Sequence, residues 1–349
     1  MAVPLEAPVQ DSAPPTFTQR AGAAWRAMTG DQRLALALIL FLILRILPQR
    51  PIVIELAANF LAWALLPAPL VWVVAAIRRD WPRVAWWTIP ALAFCLLFGE
   101  LFVPSINRPI PSQGQHLRVM TFNLFGVPRV GDRQPEIDFI RESGADLVAL
   151  EELSGDAAKQ IDLQLATVYP YRDLHPQDVY GVGLLSKHPL LESEISQYTE
   201  GTFHVNARVD IEGTPITVLV AHPPPPLDSL LPKRLRHYTP RGGREIAALL
   251  AHAPKDSPVL LLGDFNCSDQ ARDYQQPRQA GLHDTFREVG WGFGTTWPCR
   301  LKSILTFPPL IRIDYIWHSD QFQAVKCWVG PQRVSDHRPL VAELVLSDR

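Results

Sequence analysis

Charge is what this chain has little of. Asp, Glu, Lys and Arg make up 19 % of its 349 residues, below the roughly one quarter usual for soluble domains. The hydrophobic fraction, 47 %, is ordinary, so the shortage is local, and it falls in the first third. A basic surplus is also missing. The chain carries a net −2, and from His116 onward 24 Lys and Arg stand against 29 Asp and Glu, a net of −5. A nucleic-acid binder usually presents a basic face, so that class of partner is disfavoured. Cysteine is sparse: Cys95 lies in an apolar run, and Cys267, Cys299 and Cys327 cannot all pair. Their spacing fits no zinc pattern, so they read as small buried side chains, with one disulfide open to an exported domain. No internal repeat is present.

The charge-poor third holds three apolar runs. The only charged residue in Leu34–Leu47 is Arg45, in Ile52–Ile77 Glu55, and in Val84–Val103 Glu100. At about 1.5 Å per residue the second and third cover a hydrocarbon core of roughly 30 Å. The first reaches only about 21 Å, so it must borrow flanking residues with Arg45 snorkelling, or lie partly in the interface. A cleaved signal peptide fits poorly, because the run starts late and Pro48-Gln49-Arg50-Pro51 follows it instead of small residues. Arg20, Arg26 and Arg33 precede the runs, and Arg78, Arg79 and Arg83 separate the second from the third. Only Arg45 and Arg50 flank the first loop, and Arg108 follows the third run. With three spans, positive charge on the cytoplasmic side puts the tail and second loop inside and the C-terminal part outside the plasma membrane. The organisation expected is a disordered tail (1–33), a multi-pass all-α membrane anchor of about three helices (34–103), a Pro-rich linker (104–115) and a soluble domain (116–349).

From Leu117 onward, short Val/Ile/Leu runs alternate with amphipathic stretches. Leu117–Leu124, Leu147–Leu150, Val182–Ser186, Phe203–Ile211, Ile216–Ala221, Val259–Leu262, Ile311–Trp317 and Pro339–Leu346 read as strands. Pro135–Glu142, Asp156–Leu165 and Gly243–His252 read as helices. That mixture suggests two packed sheets with helices outside. Polar residues collect at strand ends: Asn123, Glu151-Glu152, His222, Asp264-Phe265-Asn266, Asp314 and Ser335-Asp336-His337. Oxygen ligands of this kind suit Mg²⁺ or Mn²⁺ rather than zinc or copper. Histidines beside carboxylates serve proton transfer or stabilise an anionic transition state. Taken singly, each has a plain structural reading: Asn123 as a strand-end cap, His222 as a loop histidine before its prolines, Asp264-Phe265-Asn266 as a turn, and Ser335-Asp336-His337 as a cap on the last strand. It is the ordered set that points to phosphoryl chemistry.

In that order, Thr-Phe-Asn, Leu-Glu-Glu, Ala-His, Gly-Asp-Phe-Asn, Arg-Ile-Asp-Tyr-Ile and Ser-Asp-His-Arg-Pro, the residues resemble the endonuclease/exonuclease/phosphatase superfamily over about 117–346. The resemblance implies an α/β fold, a four-layer α-β-β-α sandwich. It implies that Glu152 is the main metal ligand, with Asn123 nearby and Asp336 completing the site. Asp264 and Asn266 would orient the attacking water and hold phosphate. His337, paired with Asp314, would act on the phosphoryl group, and His222 resembles the second catalytic histidine of the deoxyribonuclease branch. Glu151 departs from the family, which often has Gln there. The membrane runs and Thr295-Thr296-Trp297-Pro298 resemble a narrower, bacterial membrane-bound branch that includes a glycopeptide-resistance protein.

Lys233, Arg234, Arg236, Arg241 and Arg244 form a local basic cluster. A solvated loop is one reading. The other is that the cluster gathers anionic headgroups, at about 1 kcal/mol per cation near an anionic surface. Tethering to a bilayer raises the effective concentration of lipid phosphates, so membrane lipids and lipid-linked or small phosphoesters are the expected partners, ahead of nucleic acid. No obligate protein partner is implied. An inactive binding or signalling module is the alternative of another class, and the intact site residues argue against it.

Overall fold

The computed structural model describes residues 16–47, 51–103, 114–126, 133–198, 202–225, 241–254, 257–301 and 305–347. Most of the linker and Lys233, Arg234 and Arg236 therefore lie outside the described residues.

The charge-poor third is helical: α1 (Phe17–Ala27), α2 (Gly30–Arg45), α3 (Ile52–Ala58), α4 (Leu61–Leu65), α5 (Ala68–Ile77) and α6 (Trp81–Phe98), with α6 extended by a 3₁₀ turn to Phe102. Part of the tail expected to be disordered is thus α1, an alanine-containing stretch free of proline. Helix α2 begins with a capping box, in which Thr29 accepts from the Gln32 backbone and Gln32 accepts from the backbone of Thr29. It is short for a span, as its run suggested. Among the described residues, Trp81–Phe102 is long and apolar enough to cross a membrane by length and composition. Ile52–Ile77 passes only as a pair of helices bent by 69°. The expected three spans therefore reduce to one, or two if the bent pair counts as one span.

The remainder is built on two six-stranded sheets. In chain order the strands are β1 (Gln115–Asn123), β2 (Leu147–Glu151), β3 (Tyr171–His175), β4 (Val182–Ser186), β5 (Leu190–Ser196), β6 (His204–Ile211), β7 (Thr214–Ala221), β8 (Val259–Asp264) and β9 (His283–Asp284). They continue with β10 (Arg300–Leu301), β11 (Leu305–Thr306), β12 (Asp314–His318), β13 (Phe322–Val329) and β14 (Leu340–Leu346). One sheet runs β13-β14-β1-β2-β4-β3 and the other β5-β6-β7-β8-β12-β9, while β10 and β11 form a separate hairpin. Their facing sides share a core that includes Val119, Ala149, Leu184, Val218, Leu262 and Ile316, and this core runs on into the helical region. On the outer face of the first sheet lie α7 (Gln134–Ser143) and α8 (Gly155–Leu165). On the outer face of the second lie α9 (Arg241–Ala251) and α10 (Gln275–Gln279), and α11 (Thr285–Val289) follows β9. Local chemistry sets the helix ends: Ser154 caps α8 by accepting from the Ala157 backbone, and Gly144 closes α7 at φ 66°.

Central strands lie in parallel pairs, β1 with β2 and β7 with β8. Every residue of β2 and β8 is buried, which is why these runs are continuously apolar until their last residue.

Candidate active site

The rim is assembled by strand register. Asn123 pairs with Glu151 across β1 and β2, Ala221 with Gly263 across β7 and β8, and Asp264 with Asp314 across β8 and β12. The first and third pairs bring sequence-distant polar residues to the same end of a sheet, and the second does so for His222 and Asp264, the residues that follow its members. Gly263 is required for this. Its φ is +152°, and an added Cβ would meet the Ala221 carbonyl oxygen at 1.9 Å. Asn266, at φ +52°, then turns the chain back over the rim.

Hydrogen bonds tie most of the expected residues together. The Asn123 amide donates to Asp264 at 2.8 Å and to Glu152 at 3.2 Å, while the Glu152 carboxylate also accepts from the Gly126 backbone at 2.9 Å. The Asn266 backbone donates to Asp264 at 2.8 Å, and its side chain donates to the Pro223 carbonyl at 3.0 Å, beside His222. Ser335 ties the loop before β14 to the end of β1 by donating to the Asn123 carbonyl at 2.7 Å and accepting from the His337 backbone at 3.0 Å. His337 Nδ1 lies 3.0 Å from Asp314 Oδ2, and its Nε2 lies 3.7 Å from Asp264. His222 Nε2 is 3.9 Å from the same Asp264 oxygen. Asp336 is held by the Trp297 indole N–H, which donates to its Oδ2 at 3.3 Å. Asn123, Glu152, His222, Asp264, Asn266, Asp314, Asp336 and His337 therefore share one rim.

Register also separates the two glutamates. Glu151 ends β2 fully buried and accepts from the Thr121 hydroxyl at 2.8 Å. Glu152 follows at φ 49° and swings out to Asn123.

Burial and crowding give the rim groups different protonation. Burial, with Asp314 adding to it, lifts the Glu151 carboxyl well above the carboxylate range. Asp264 is pushed up to about 7, by burial first and then by Asp314 against the opposing pull of His337. Burial also raises Asp336. The histidines diverge. Burial pulls His337 down, but Asp314 and Asp264 outweigh it and hold the imidazolium well above its ordinary range. His222 is brought down to about 4 by burial. One histidine is thus a cation and the other a neutral imidazole near neutral pH.

This chemistry suits a hard cation. Asp336 Oδ1 is buried with no hydrogen-bond partner, and burial lifts the Asp264 and Asp336 carboxyls. Asp264, Asp314 and His337 also bring ligand atoms within 4.8 Å of one another. In that cluster, however, the imidazole already donates to Asp314, so a cation there would have to displace its proton. The donor set Asn123, Glu152 and Asp336 holds no such proton; Asn123 Oδ1 accepts from the Phe125 backbone N–H at 2.9 Å and would ligate through its second lone pair.

Two features escaped the sequence. Behind His222, the buried His204 accepts from the His222 backbone at 3.2 Å through Nδ1 and lies 3.1 Å from Glu245 through Nε2. His204 opens β6 among apolar residues, where nothing distinguished it from a satisfied core histidine. Beneath the rim, Arg312 forms a paired contact with Asp284, both side chains being 3 % exposed. Cys267, Cys299 and Cys327 are free and buried, in keeping with their reading as small buried side chains, and the disulfide left open by the sequence is not formed.

A model of the endonuclease/exonuclease/phosphatase family matches residues 120–337, more than half of the chain and inclusive of all the rim residues. The Escherichia coli K12 protein YbhP, which is uncharacterized, is 24 % identical over 272 residues, covering 68 % of this chain and 100 % of its own. An endonuclease/exonuclease/phosphatase from Beutenbergia cavernae DSM 12333 matches in structure with a TM-score of 0.54 at 23 % identity, over 66 % of this chain and 72 % of that one. TDP2 of D. rerio, solved with a single strand DNA product, matches with a TM-score of 0.52 at 19 % identity, over 66 % and 98 % of the two chains. At these identities the two structures establish likeness of fold.

Proposed function

This chain belongs to the endonuclease/exonuclease/phosphatase family, and from that premise we propose that it is a membrane-anchored, divalent-metal-dependent phosphoester hydrolase acting on lipid-linked or small phosphoesters outside the cytoplasm. The observation that carries the hydrolase reading is the His337–Asp314 pair set against Asp264, Asn123 and Glu152 on one rim.

Glu152, Asn123 and Asp336 would hold Mg²⁺ or Mn²⁺, which when bound polarises a phosphoryl oxygen and neutralises developing charge. Asp264, lifted to about 7 by burial, is suited to accept a proton from an attacking water at neutral pH. The Asn266 turn fixes that carboxylate through its backbone N–H and offers an amide side chain to the phosphate. His337, kept protonated by Asp314, faces the same carboxylate and stabilises negative charge gathering on the phosphoryl group. His222, neutral and buried, acts in a supporting role.

Membrane anchoring is supported by apolar side chains that the helices turn outward. Leu70, Ile77, Leu96 and Val103 are 67 %, 76 %, 75 % and 66 % exposed, a surface that suits lipid rather than water. Arg78, Arg79 and Arg83 flank the amino end of α6, which favours that end inside. Contacts with the sandwich gather at its other end, at Leu97, Glu100 and Leu101. This favours a catalytic domain on the outer side, as in the membrane-bound branch that the sequence resembles. A reporter fused after Arg349 should be exported and one beside Arg79 retained. A cytoplasmic C-terminal reporter would overturn the orientation.

Nuclease action is the second reading, motivated by the DNA product bound to the D. rerio relative. The full-length protein in detergent, incubated with Mg²⁺ against a phospholipid, a lipid pyrophosphate and plasmid DNA, separates the two. Hydrolysis of a lipid substrate that excess chelator abolishes is the expected result. Cleavage of DNA alone would replace the lipid reading, and full activity in chelator would refute the metal.

A further inference from the structure

The segment that follows Asp264-Phe265-Asn266 does not lie free over the rim. It is held from below by the sandwich and from the side by the helical region. Below, the Tyr315 hydroxyl donates to the Cys267 carbonyl at 3.0 Å, and Asp269 meets Arg287 at 2.9 Å. From the side, two polar residues of the otherwise apolar Ile52–Ile77 run reach across. Asn59 Oδ1 accepts from the Ser268 backbone N–H at 2.9 Å, and Glu55 Oε1 accepts from that of Arg272 at 2.8 Å. Arg45 adds a 3.0 Å contact to Gln270, and Arg272 returns one of 2.8 Å to the Leu47 carbonyl. Glu55 and Asn59 are four apart and so share a helix face, and the 69° bend of the run falls directly after Asn59. A carboxylate is costly in an apolar helix. Here it faces a backbone donor in the loop that begins at a catalytic residue.

We propose that Glu55 and Asn59 are positioning residues of the hydrolase: they fix the backbone from Ser268 to Arg272 and thereby the turn at Asn266 that sets the Asp264 carboxylate and presents the Asn266 amide. The helix α3 is then a docking element of the active site rather than half of a span. The kinetic part of this inference rests on the phosphoester reading; the structural part does not.

The test uses the full-length protein in detergent with a chromogenic bis-aryl phosphodiester, saturating Mg²⁺, and amide hydrogen exchange read at Ser268 and Arg272. Asn59→Leu and Glu55→Leu remove the acceptors while leaving the helix more apolar, so neither should impair insertion. Each should lower kcat by about tenfold or more, with a smaller change in KM, because displacements of about an ångström at a catalytic group cost that much and more. Exchange at the matching amide should accelerate. Asn59→Asp and Glu55→Gln keep an oxygen acceptor and should restore both readouts. Unchanged kcat and exchange in the leucine variants would overturn the proposal, and so would equal losses in the leucine and conservative variants. If the wild-type protein shows no metal-dependent hydrolysis, the phosphoester reading falls and exchange alone decides: protection that follows the acceptor upholds the positioning, and its absence overturns it.

Discussion

The helical region and the sandwich are organised in opposite senses. In the sandwich, apolar side chains such as Leu262 and Val218 lie inside at 0 % exposure, and polar groups come to the surface at strand ends. In the helical region large apolar side chains such as Leu70 and Leu96 face outward, while Glu55 and Asn59 turn inward to the loop after Asn266. With the membrane anchoring proposed above, the same physical rule, that each surface matches its solvent, yields both patterns, because the two solvents then differ. What the regions share is the place where their polar groups meet.

That contrast can be broken most severely inside the sandwich. Replacing Arg312 with Met strands Asp284 in a buried site, where it loses paired contacts of 2.8 and 2.9 Å. The expected cost is about 3–5 kcal/mol, read as a fall in denaturation midpoint. The contrast is sharpened by two matched truncations. Leu262→Ala in the core should cost about 2–5 kcal/mol, whereas Leu70→Ala should change the stability of the detergent-solubilised protein by no more than about 0.5 kcal/mol. Equal losses would mean that Leu70 faces protein rather than lipid.

At the rim the expected effects are kinetic. His337→Ala should lose at least about two orders of magnitude in kcat while metal affinity is kept, whereas Glu152→Ala should weaken the metal site itself. Turnover measured across a Mg²⁺ titration tells them apart, because rescue of His337→Ala by added Mg²⁺ would reassign that histidine to ion support. His222→Gln should lose less. Its smallest signature is in stability. With a folded value of about 4 against an ordinary 6.5, the unfolded chain binds a proton between these pH values and the folded chain does not. Stability from this group is therefore complete above pH 6.5 and declines as pH falls toward 4. Urea midpoints of the variant should decline less steeply over that window than those of the wild type.

Much of this was legible because the central strands end abruptly. Val259–Leu262 and Leu147–Leu150 are apolar runs soon followed by acidic groups, and the structure makes them buried strands whose ends form the rim. Of the strands that escaped, Tyr171–His175, Leu190–Ser196 and Phe322–Val329 lie at sheet edges, as does the two-residue β9, while the two-residue β10 and β11 pair only with each other. Leu190–Ser196 has no buried residue, so no period of two is imposed on it, and a register shift between Ala324 and Lys326 breaks the alternation of Phe322–Val329. The helical region misled for a different reason. Hydropathy reads Ile52–Ile77 as one run, whereas the bend follows Asn59, whose partner lies 209 residues away in sequence. Likewise His204 and Glu245 are ordinary residues until β6 and α9 bring them together behind His222.

The register of β7, β8 and β12 has a consequence for how such a protein can change. His222 and Asp264 each follow one member of the Ala221–Gly263 pair, and Asp264 and Asp314 are themselves partners. The spacing of their backbones is therefore inherited from a strand ladder, and the loop after Asn266 sets only how the Asp264 carboxylate is aimed. A lineage, or a designer, could exchange the rim loops that carry none of the site residues and re-aim the protein at another phosphoester, keeping the turn at Asn266 and the Ser335–His337 segment in place. The converse also holds: at Gly263 there is room for no experiment at all, since a single methyl group there would part the two strands on which the whole arrangement hangs.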